Sequence, residues 1–251
     1  MDEYRLLSPQ HKGRDCKLSM DLPVWRYMNF AKFAHLFETR NLFFCRADNF
    51  EDKLEGHYPT HWMDRFNNSF KENEISSTAD DFLKYQRSRS FINSWFDASD
   101  GYEDIGMWQR YGMRQDGVAV ISTTGKLSSH LAQWAEKKSQ YTVLVGKVKY
   151  GTDILAHRWD INPYEKIYLA KDGIYTSEKE IRCVIGALRH PETVESPVEE
   201  NGIDVLIDTL AELITEVVVS PYAPAWLHEL VRIIACRANI HARESDKTGT
   251  V

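Results

Sequence analysis

Three short segments that lie far apart in the sequence set polar or charged residues inside apolar, strand-like stretches. They are Val24–Tyr27, Phe91–Phe96 and Ser177–Ile185. Burying an ionic side chain without a partner is unfavourable, so charged residues in such surroundings need a reason. One reason is an anionic ligand and a transition state that carries positive charge. The other is a structural ion pair, and the sequence leaves both open.

The third segment places two carboxylates and a guanidinium at alternate positions. If it forms a strand, Glu178, Glu180 and Arg182 share one face, while Ile181 and Cys183 face the core. Arg182 beside Glu180 would then lower the pKa of that carboxyl group and keep it ionised. The two carboxylates are candidate catalytic residues. A solvated strand face with a local ion pair would give the same pattern.

The first two segments supply Arg26 and Ser94 as polar residues beside aromatic ones. The planar, permanently charged guanidinium of Arg26 suits a phosphate or pyrophosphate, and an interior arginine paired with a carboxylate is the alternative. Ser94 lies in no G-x-S-x-G motif, so we do not expect a hydrolase nucleophile. Trp25, Tyr27 and Trp95 flank these residues and could stack on a flat base or a nicotinamide ring.

Residues 47–61 have the composition of a metal site but not its spacing. Their candidate ligands are Asp48, Glu51, Asp52, Glu55, His57 and His61. The pattern matches no EF-hand loop, and Pro59 prevents the two histidines from sharing a helix face. We therefore expect no metal, and expect the carboxylates to cap turns and to hold Arg46 or Arg26. A metal-dependent nuclease built on the acidic residues is one alternative function.

The elements that must position these residues are strands interleaved with helices of unequal length. Asn29 is suited to cap a helix from Phe30 to about Arg40. The hydrophobic pattern predicts strands at 22–28, 42–45, 90–96, 117–121, 141–150, 179–188, 203–207 and 216–220. This order predicts an α+β fold with a mixed, mainly antiparallel central sheet, which can be split, and helices packed around it.

The domain organisation predicted from the sequence is a single α+β domain over residues 21–242. Residues 1–20 are polar without periodicity and predict a flexible N-terminal arm, and residues 243–251 predict a disordered tail. A helical insertion near 60–88 is polar at its centre, which predicts an exposed and mobile segment.

The composition narrows the function classes. The net charge of -6 excludes binding to nucleic acid that is driven by the charge of the whole chain. No apolar run approaches the roughly 20 residues needed to cross a bilayer, and no secretory signal is visible, so we expect no membrane partner. Four cysteines scattered along the chain predict a reducing compartment and hence a cytoplasmic protein.

Six short motifs together resemble a bacterial family known as domain of unknown function 2971. They are Arg26-Tyr27, the turn from Phe50-Glu51-Asp52 to Glu55-Gly56, Asn93-Ser94-Trp95, Met107-Trp108 to Tyr111, Gly117-Val118-Ala119 and Glu178-Lys179-Glu180-Ile181-Arg182. The likeness runs from about residue 22 to residue 236. The family name itself implies no activity.

A looser resemblance connects Arg26, Ser94 and the pair Glu178 and Glu180 to the ADP-ribosyltransferases. Those enzymes carry an arginine on an early strand, a serine on a central strand and an E-x-E motif on a later strand. The resemblance implies that Arg26 holds the NAD phosphates, with Tyr27, Trp95 and Arg182 also at the cofactor. The usual Ser-Thr-Ser motif of those enzymes reads Asn93-Ser94-Trp95 here.

The same resemblance assigns the catalytic roles and a biological setting. Ser94 would brace the nicotinamide-ribose site, Glu180 would stabilise the developing positive charge, and Glu178 would orient the acceptor, a protein or a nucleic acid. Such enzymes are often bacterial toxins or antiphage effectors. On this basis Glu180→Gln should abolish NAD turnover and leave the melting temperature nearly unchanged. The main alternative is a non-catalytic domain in which Arg26 and Arg182 bind an anionic ligand or partner.

Overall fold

The fold is known from a computed structural model that describes residues 3–7, 18–50, 56–101, 103–111, 115–138, 140–151, 164–187 and 201–247. Its strands are β1 (Tyr4–Leu6), β2 (Pro23–Asn29), β3 (Asn41–Arg46), β4 (Ser90–Asp97), β5 (Gly117–Thr123), β6 (Tyr141–Lys147), β7 (Lys149–Tyr150), β8 (Ala170–Lys171), β9 (Glu180–Ala187), β10 (Gly202–Leu206), β11 (Glu216–Val219) and β12 (His241–Glu244).

The helices lie between these strands. They are α1 (Phe30–Thr39), α2 (Thr60–Glu72), α3 (Ala79–Arg87), α4 (Ile105–Tyr111), α5 (Thr124–Lys137), α6 (Leu210–Leu213) and α7 (Ala225–Arg237), with short 3-10 helices at Ala47–Asn49, Tyr164–Leu169 and Gly173–Glu178. The helix predicted after Asn29 is confirmed, because the Asn29 side chain accepts a hydrogen bond from the Lys32 amide at 3.0 Å.

Within the described residues, ten strands form one sheet in the order β1-β6-β9-β4-β2-β5-β11-β12, while β3 pairs with β4 and β10 pairs with β3. Neighbouring strands are antiparallel except for β11 and β12, which run parallel. The small strands β7 and β8 form a separate parallel pair. The predicted α+β fold with a mixed, mainly antiparallel sheet is confirmed.

Alternation along the strands gives the sheet an apolar layer on each face. One face packs against α1, α5, α6 and α7, whose buried residues share a core with Val24 and Met28 of β2. The other face is covered near β2 by α4, where Trp25 and Tyr27 pack with Trp108. Further along, α2, α3 and the 3-10 helix Tyr164–Leu169 complete this second layer. Consecutive residues of β2 therefore serve two different cores.

Strands occur in both terminal segments that were predicted to be flexible or disordered. Tyr4 and Leu6 are both buried, and β1 pairs with β6. At the other end, β12 pairs with β11, and Arg243 forms ion pairs with Glu103 at 3.1 Å and Glu216 at 2.9 Å. The flexible arm predicted for residues 1–20 is therefore wrong for Tyr4–Leu6. The disordered tail predicted for 243–251 is wrong for residues 243 and 244.

The predicted insertion near 60–88 consists of two helices, α2 and α3. A capping box at the start of α3 joins Thr78 and Asp81 through reciprocal hydrogen bonds. Trp62 on α2 and Leu83 on α3 bury their side chains in the second layer of the core. The segment is thus anchored at both helices, and its mobility stays a prediction.

Candidate functional site

A split in the central sheet creates a cavity. Strand β2 pairs with β4 only at Val24 and Trp25, which lie opposite Asp97 and Phe96. The other half of β4 pairs with β3. Because two strands diverge along one neighbour, a gap opens between β2 and β3. A cavity of about 420 Å³ lies there, within the usual range of roughly 300–1,000 Å³ for ligand sites.

All seven site residues predicted from the sequence line this one cavity. They are Arg26, Tyr27, Ser94, Trp95, Glu178, Glu180 and Arg182. They come from β2, β4, β9 and the 3-10 helix before β9, so only the tertiary fold joins them. Within β4 and β9 the register places Ser94 directly opposite Arg182. The convergence required by the sequence-based hypothesis is present.

Glu180 is held by two cationic donor side chains. The guanidinium of Arg182 donates to both carboxylate oxygens, from Nε at 2.8 Å and from Nη2 at 2.9 Å. Lys171 donates a further bond at 3.0 Å. Burial alone would raise the pKa of Glu180, but Arg182, Lys171 and Ser94 hold it far below its usual range. The carboxylate is therefore ionised.

Glu178 shares Lys171 with Glu180. Lys171 Nζ lies 2.6 Å from Glu178 Oε2, and the Tyr111 hydroxyl donates to Oε1 at 3.2 Å. Burial, followed by the negative charge of Glu178, raises the pKa of Tyr111 to about 12. The Lys171 ammonium also lies 4.5 Å from the centre of the Tyr175 ring. Lys171 thus bridges the two carboxylates, and each carboxylate has a second donor of its own.

The route by which Glu178 reaches the cavity differs from the prediction. Glu178 ends a 3-10 helix, and β9 begins at Glu180. Lys179 between them has a φ of 39°, in the left-handed region, so the chain turns there instead of alternating as a strand. The prediction that both glutamates share a strand face is therefore wrong. The turn nevertheless brings both carboxylates to Lys171.

Arg26 is the opposite case, a cation for which the described residues provide no partner. Its side chain is half-buried and lines the cavity. No hydrogen bond or ion pair joins it to another residue in the part of the chain that the structure describes. Burial lowers the pKa of its guanidinium to about 10, an effect that the nearby Cys183 partly offsets. An anion in the cavity would offset the free-energy cost of burying this charge, because it would supply the missing counter-charge.

Sequence reasoning missed several residues of the site. Lys171 donates hydrogen bonds to both glutamates. Tyr111, Tyr175 and Lys32 line the same cavity. Lys171 lies in the two-residue strand β8 after an irregular stretch, where no periodic pattern marks it. Tyr111 was visible in the sequence as part of the Met107-Trp108 to Tyr111 motif, although its packing on α4 gave no reason to place it beside Glu178.

The charges around the cavity favour an anionic ligand. Of the lining residues that the structure describes, four are cationic and two are anionic. The cations are Arg26, Lys32, Lys171 and Arg182, and the anions are Glu178 and Glu180. Since both carboxylates are matched by Lys171 and Arg182, Arg26 and Lys32 provide the excess positive charge. A low-dielectric wall strengthens the field of such a cluster.

The aromatic residues form the walls of the cavity. Tyr27 packs edge-on against Trp108 with ring centres 4.8 Å apart, and its hydroxyl accepts a hydrogen bond from the Asp104 amide at 3.2 Å. Trp95 is 2% exposed, and its indole nitrogen donates to Asn93 at 2.6 Å. Both side chains are therefore rigidly held. Their predicted contact with a nicotinamide or base ring stays a prediction.

The candidate metal segment is only partly described. Glu51, Asp52 and Glu55 lie outside the described residues. Asp48 accepts a hydrogen bond from Arg46 at 2.6 Å, so the pairing that we expected between these two residues is confirmed. No group of three or more metal-ligating side chains occurs in the described ranges. Because three of the four acidic residues of the nuclease alternative lie outside the described residues, that alternative stays a prediction.

Comparison with known proteins gives no match to a family model, to a curated protein or to a solved structure. The two resemblances drawn from the sequence motifs stay predictions. In the described part of the chain, no helix is both long enough and apolar enough to cross a membrane.

Three buried carboxylates make the fold sensitive to acid. Asp97 pairs with Lys147 at 2.6 Å, Glu103 pairs with Arg243 at 3.1 Å, and Glu180 is held as described above. Burial alone would raise the pKa of each, but their partners hold each pKa below its ordinary value. The unfolded chain therefore binds more protons than the folded protein in mild acid.

We expect the free energy of unfolding to fall as the pH drops below about 5. These carboxylates contribute fully to the free energy of unfolding above their ordinary pKa values of about 4. The contribution is lost as the pH falls towards their lower pKa values in the folded protein. Urea unfolding measured from about pH 7 to about pH 3 tests this. Glu103→Gln should have a shallower acid dependence than the natural sequence. An unfolding free energy that stays constant down to about pH 3 would contradict the expectation.

Proposed function

We propose that the cavity at the split in the sheet binds NAD and transfers its ADP-ribose group to a protein or nucleic acid acceptor. The observation that carries this proposal is the convergence of Arg26, Ser94 and Glu180 on one cavity, from strands far apart in the sequence. Their order and residue types match those of the ADP-ribosyltransferases. The cationic, aromatic walls suit a phosphorylated ligand with flat rings.

Arg26 is assigned to the pyrophosphate of NAD. Its guanidinium is a fixed charge with several donors, which suits two oxygens of a phosphate. It faces the cavity without a partner among the described residues, so a bound pyrophosphate would supply the missing charge. Lys32 lines the same cavity and adds a second positive charge.

Glu180 is assigned to the breaking bond. The bond between the nicotinamide nitrogen and ribose C1′ breaks, and nicotinamide leaves with the bonding electron pair. Positive charge develops on the ribose, and an ionised carboxylate fixed nearby stabilises it. The acceptor then forms a new bond to C1′, and its proton passes to water or to Glu178. Because the pKa of Glu180 is lowered, its carboxylate is charged throughout this sequence.

A second candidate function is a domain that binds an anionic ligand without catalysis. Glu180 accepts three hydrogen bonds, two from Arg182 and one from Lys171. A carboxylate offers about four lone-pair sites, so these bonds take up most of its capacity to accept a bond from a ribose hydroxyl. A carboxylate that already pairs with two cations favours a structural role over a catalytic one.

Incubation with NAD followed by mass spectrometry separates the two candidates. We expect nicotinamide to be released and the protein, or an added protein or nucleic acid, to gain ADP-ribose. The matched control is Arg26→Met, which should release no nicotinamide. Binding of NAD by calorimetry without any nicotinamide release would support the second candidate. The absence of NAD binding would contradict the proposed function, and the second candidate would then require an anionic ligand other than NAD.

The setting of this activity is also part of the proposal. The resemblance to bacterial domain of unknown function 2971 and to the ADP-ribosyltransferases supports a cytoplasmic toxin or antiphage effector. In that role the enzyme would modify an essential macromolecule of the cell. Expression of the chain in bacteria should then inhibit growth, and Arg26→Met should relieve the inhibition.

A further inference from the structure

A second cavity of about 640 Å³ adjoins the first one at the split in the sheet. It lies between β2, β3 and α1. Its walls are largely apolar, with a few polar groups such as His35 and Asn41. Neither the predicted catalytic residues nor Arg182 line it. The proposed function so far leaves this cavity without a role.

The two cavities share part of their walls. The shared residues are Arg26, Met28, Lys32, Cys45 and Ile92. Val24 and Met28 of β2 belong to the core under α1, while Trp25 and Tyr27 belong to the core on the opposite face of the sheet. The first cavity is lined from both sets, so it passes around the edge of β2. The split is therefore an opening that connects the two faces of the sheet.

Two cations stand at this opening. Arg26 and Lys32 both line both cavities. The structure gives neither side chain an ion-pair or hydrogen-bond partner among the described residues. Two adjacent negative charges would match them best, and a pyrophosphate provides such a pair.

The size of the first cavity also favours a ligand that extends past the two cations. Its volume of about 420 Å³ is near the lower end of the range for sites that hold drug-sized ligands, roughly 300–1,000 Å³. A dinucleotide is larger than a drug-sized ligand, so we expect it to extend beyond a cavity of this volume, whereas a single nucleotide needs less space. The second cavity supplies the additional space directly behind the two cations.

We infer that the site takes a dinucleotide that passes through the sheet, with its pyrophosphate between Arg26 and Lys32. One nucleoside half occupies the first cavity beside Glu180, and the other half occupies the second cavity between β3 and α1. This inference rests on the proposed binding of NAD. It adds that a single nucleotide fills only half of the site.

Filling the second cavity tests the inference without touching the first. Ala31 is an exposed residue in the first turn of α1 and lines only the second cavity. We expect Ala31→Trp to weaken NAD binding by about tenfold or more, and to change the affinity for nicotinamide mononucleotide by less than about twofold. Calorimetric titration with both compounds measures this. The matched control is Ala225→Trp, at an exposed alanine in the first turn of α7 that lines neither cavity.

The outcomes separate this inference from the proposed function. Equal NAD affinity in Ala31→Trp and the natural protein would overturn the inference and leave the proposed function intact. An equal loss of affinity for NAD and for nicotinamide mononucleotide would also overturn the inference. Failure of the natural protein to bind NAD would overturn both. If Ala31→Trp lowers the melting temperature, His35→Trp fills the same cavity from another exposed position.

Discussion

We expect Glu180→Gln to lower the free energy of unfolding by about 3–5 kcal/mol, because it leaves a buried guanidinium without its carboxylate. Arg182 is 1% exposed, and two of its bonds end on Glu180. The amide nitrogen of glutamine would face Arg182 and Lys171, which are donors themselves. For a chain of this size the melting temperature should fall by roughly 10 °C. Calorimetry or thermal circular dichroism measures the change.

This expectation replaces the one drawn from the sequence alone. The catalytic interpretation of Glu180 predicted a nearly unchanged melting temperature, and a structural ion pair was the alternative. The structure shows the same carboxylate as the centre of a buried ion pair. Loss of NAD turnover in Glu180→Gln would therefore not identify a catalytic role unless the folded fraction is measured as well.

Two controls separate the buried pair from a general effect of removing a carboxylate. Glu180→Gln combined with Arg182→Met removes both charges and should recover most of the lost stability, because apolar replacements of buried pairs are often neutral. Glu229→Gln breaks the exposed pair with Arg232 on α7 and should cost less than about 1 kcal/mol. A single variant that melts like the natural protein would contradict the structural role.

The regular parts of the fold could be predicted because their residues repeat at the period of the element. The strand over Gly117–Thr123 and the helix capped by Asn29 belong to this class. The strand β1 could not, because Tyr4 and Leu6 give only two inward-facing residues. Its stability depends on pairing with β6, which is more than 130 residues away in the sequence.

The sequence predicted which residues line the site more readily than it predicted which of them are paired with each other. Arg26 and Arg182 are both arginines within apolar strands, and the sequence analysis assigned both to the ligand, although it also placed Arg182 beside Glu180. The structure gives Arg182 a bidentate carboxylate and gives Arg26 none among the described residues. The difference arises from the split beside β2, which no local pattern encodes. Which arginine is available to a ligand is therefore a property of the sheet topology.

We expect Arg26→Met to weaken NAD binding by roughly 10- to 100-fold while stabilising the fold. Hydrogen bonds to a charged group contribute about 1.5–3 kcal/mol each, which corresponds to this range of affinity. The same substitution removes a half-buried cation that has no partner among the described residues, and it adds an apolar side chain on the face of β2 that carries Met28 and Val24. The free energy of unfolding should rise by about 1–3 kcal/mol. Calorimetric titration and urea unfolding measure the two effects.

The opposite signs of these two effects distinguish a ligand-binding arginine from a structural one. The matched control is Arg46→Met on β3, where the arginine already pairs with Asp48 and lines neither cavity. It should leave NAD affinity unchanged and should not stabilise the fold. An Arg26→Met protein that is less stable than the natural one would indicate that Arg26 supports the fold instead. An unchanged NAD affinity would contradict the assignment of Arg26 to the pyrophosphate. It would also remove the basis for proposing a phosphorylated ligand in this cavity.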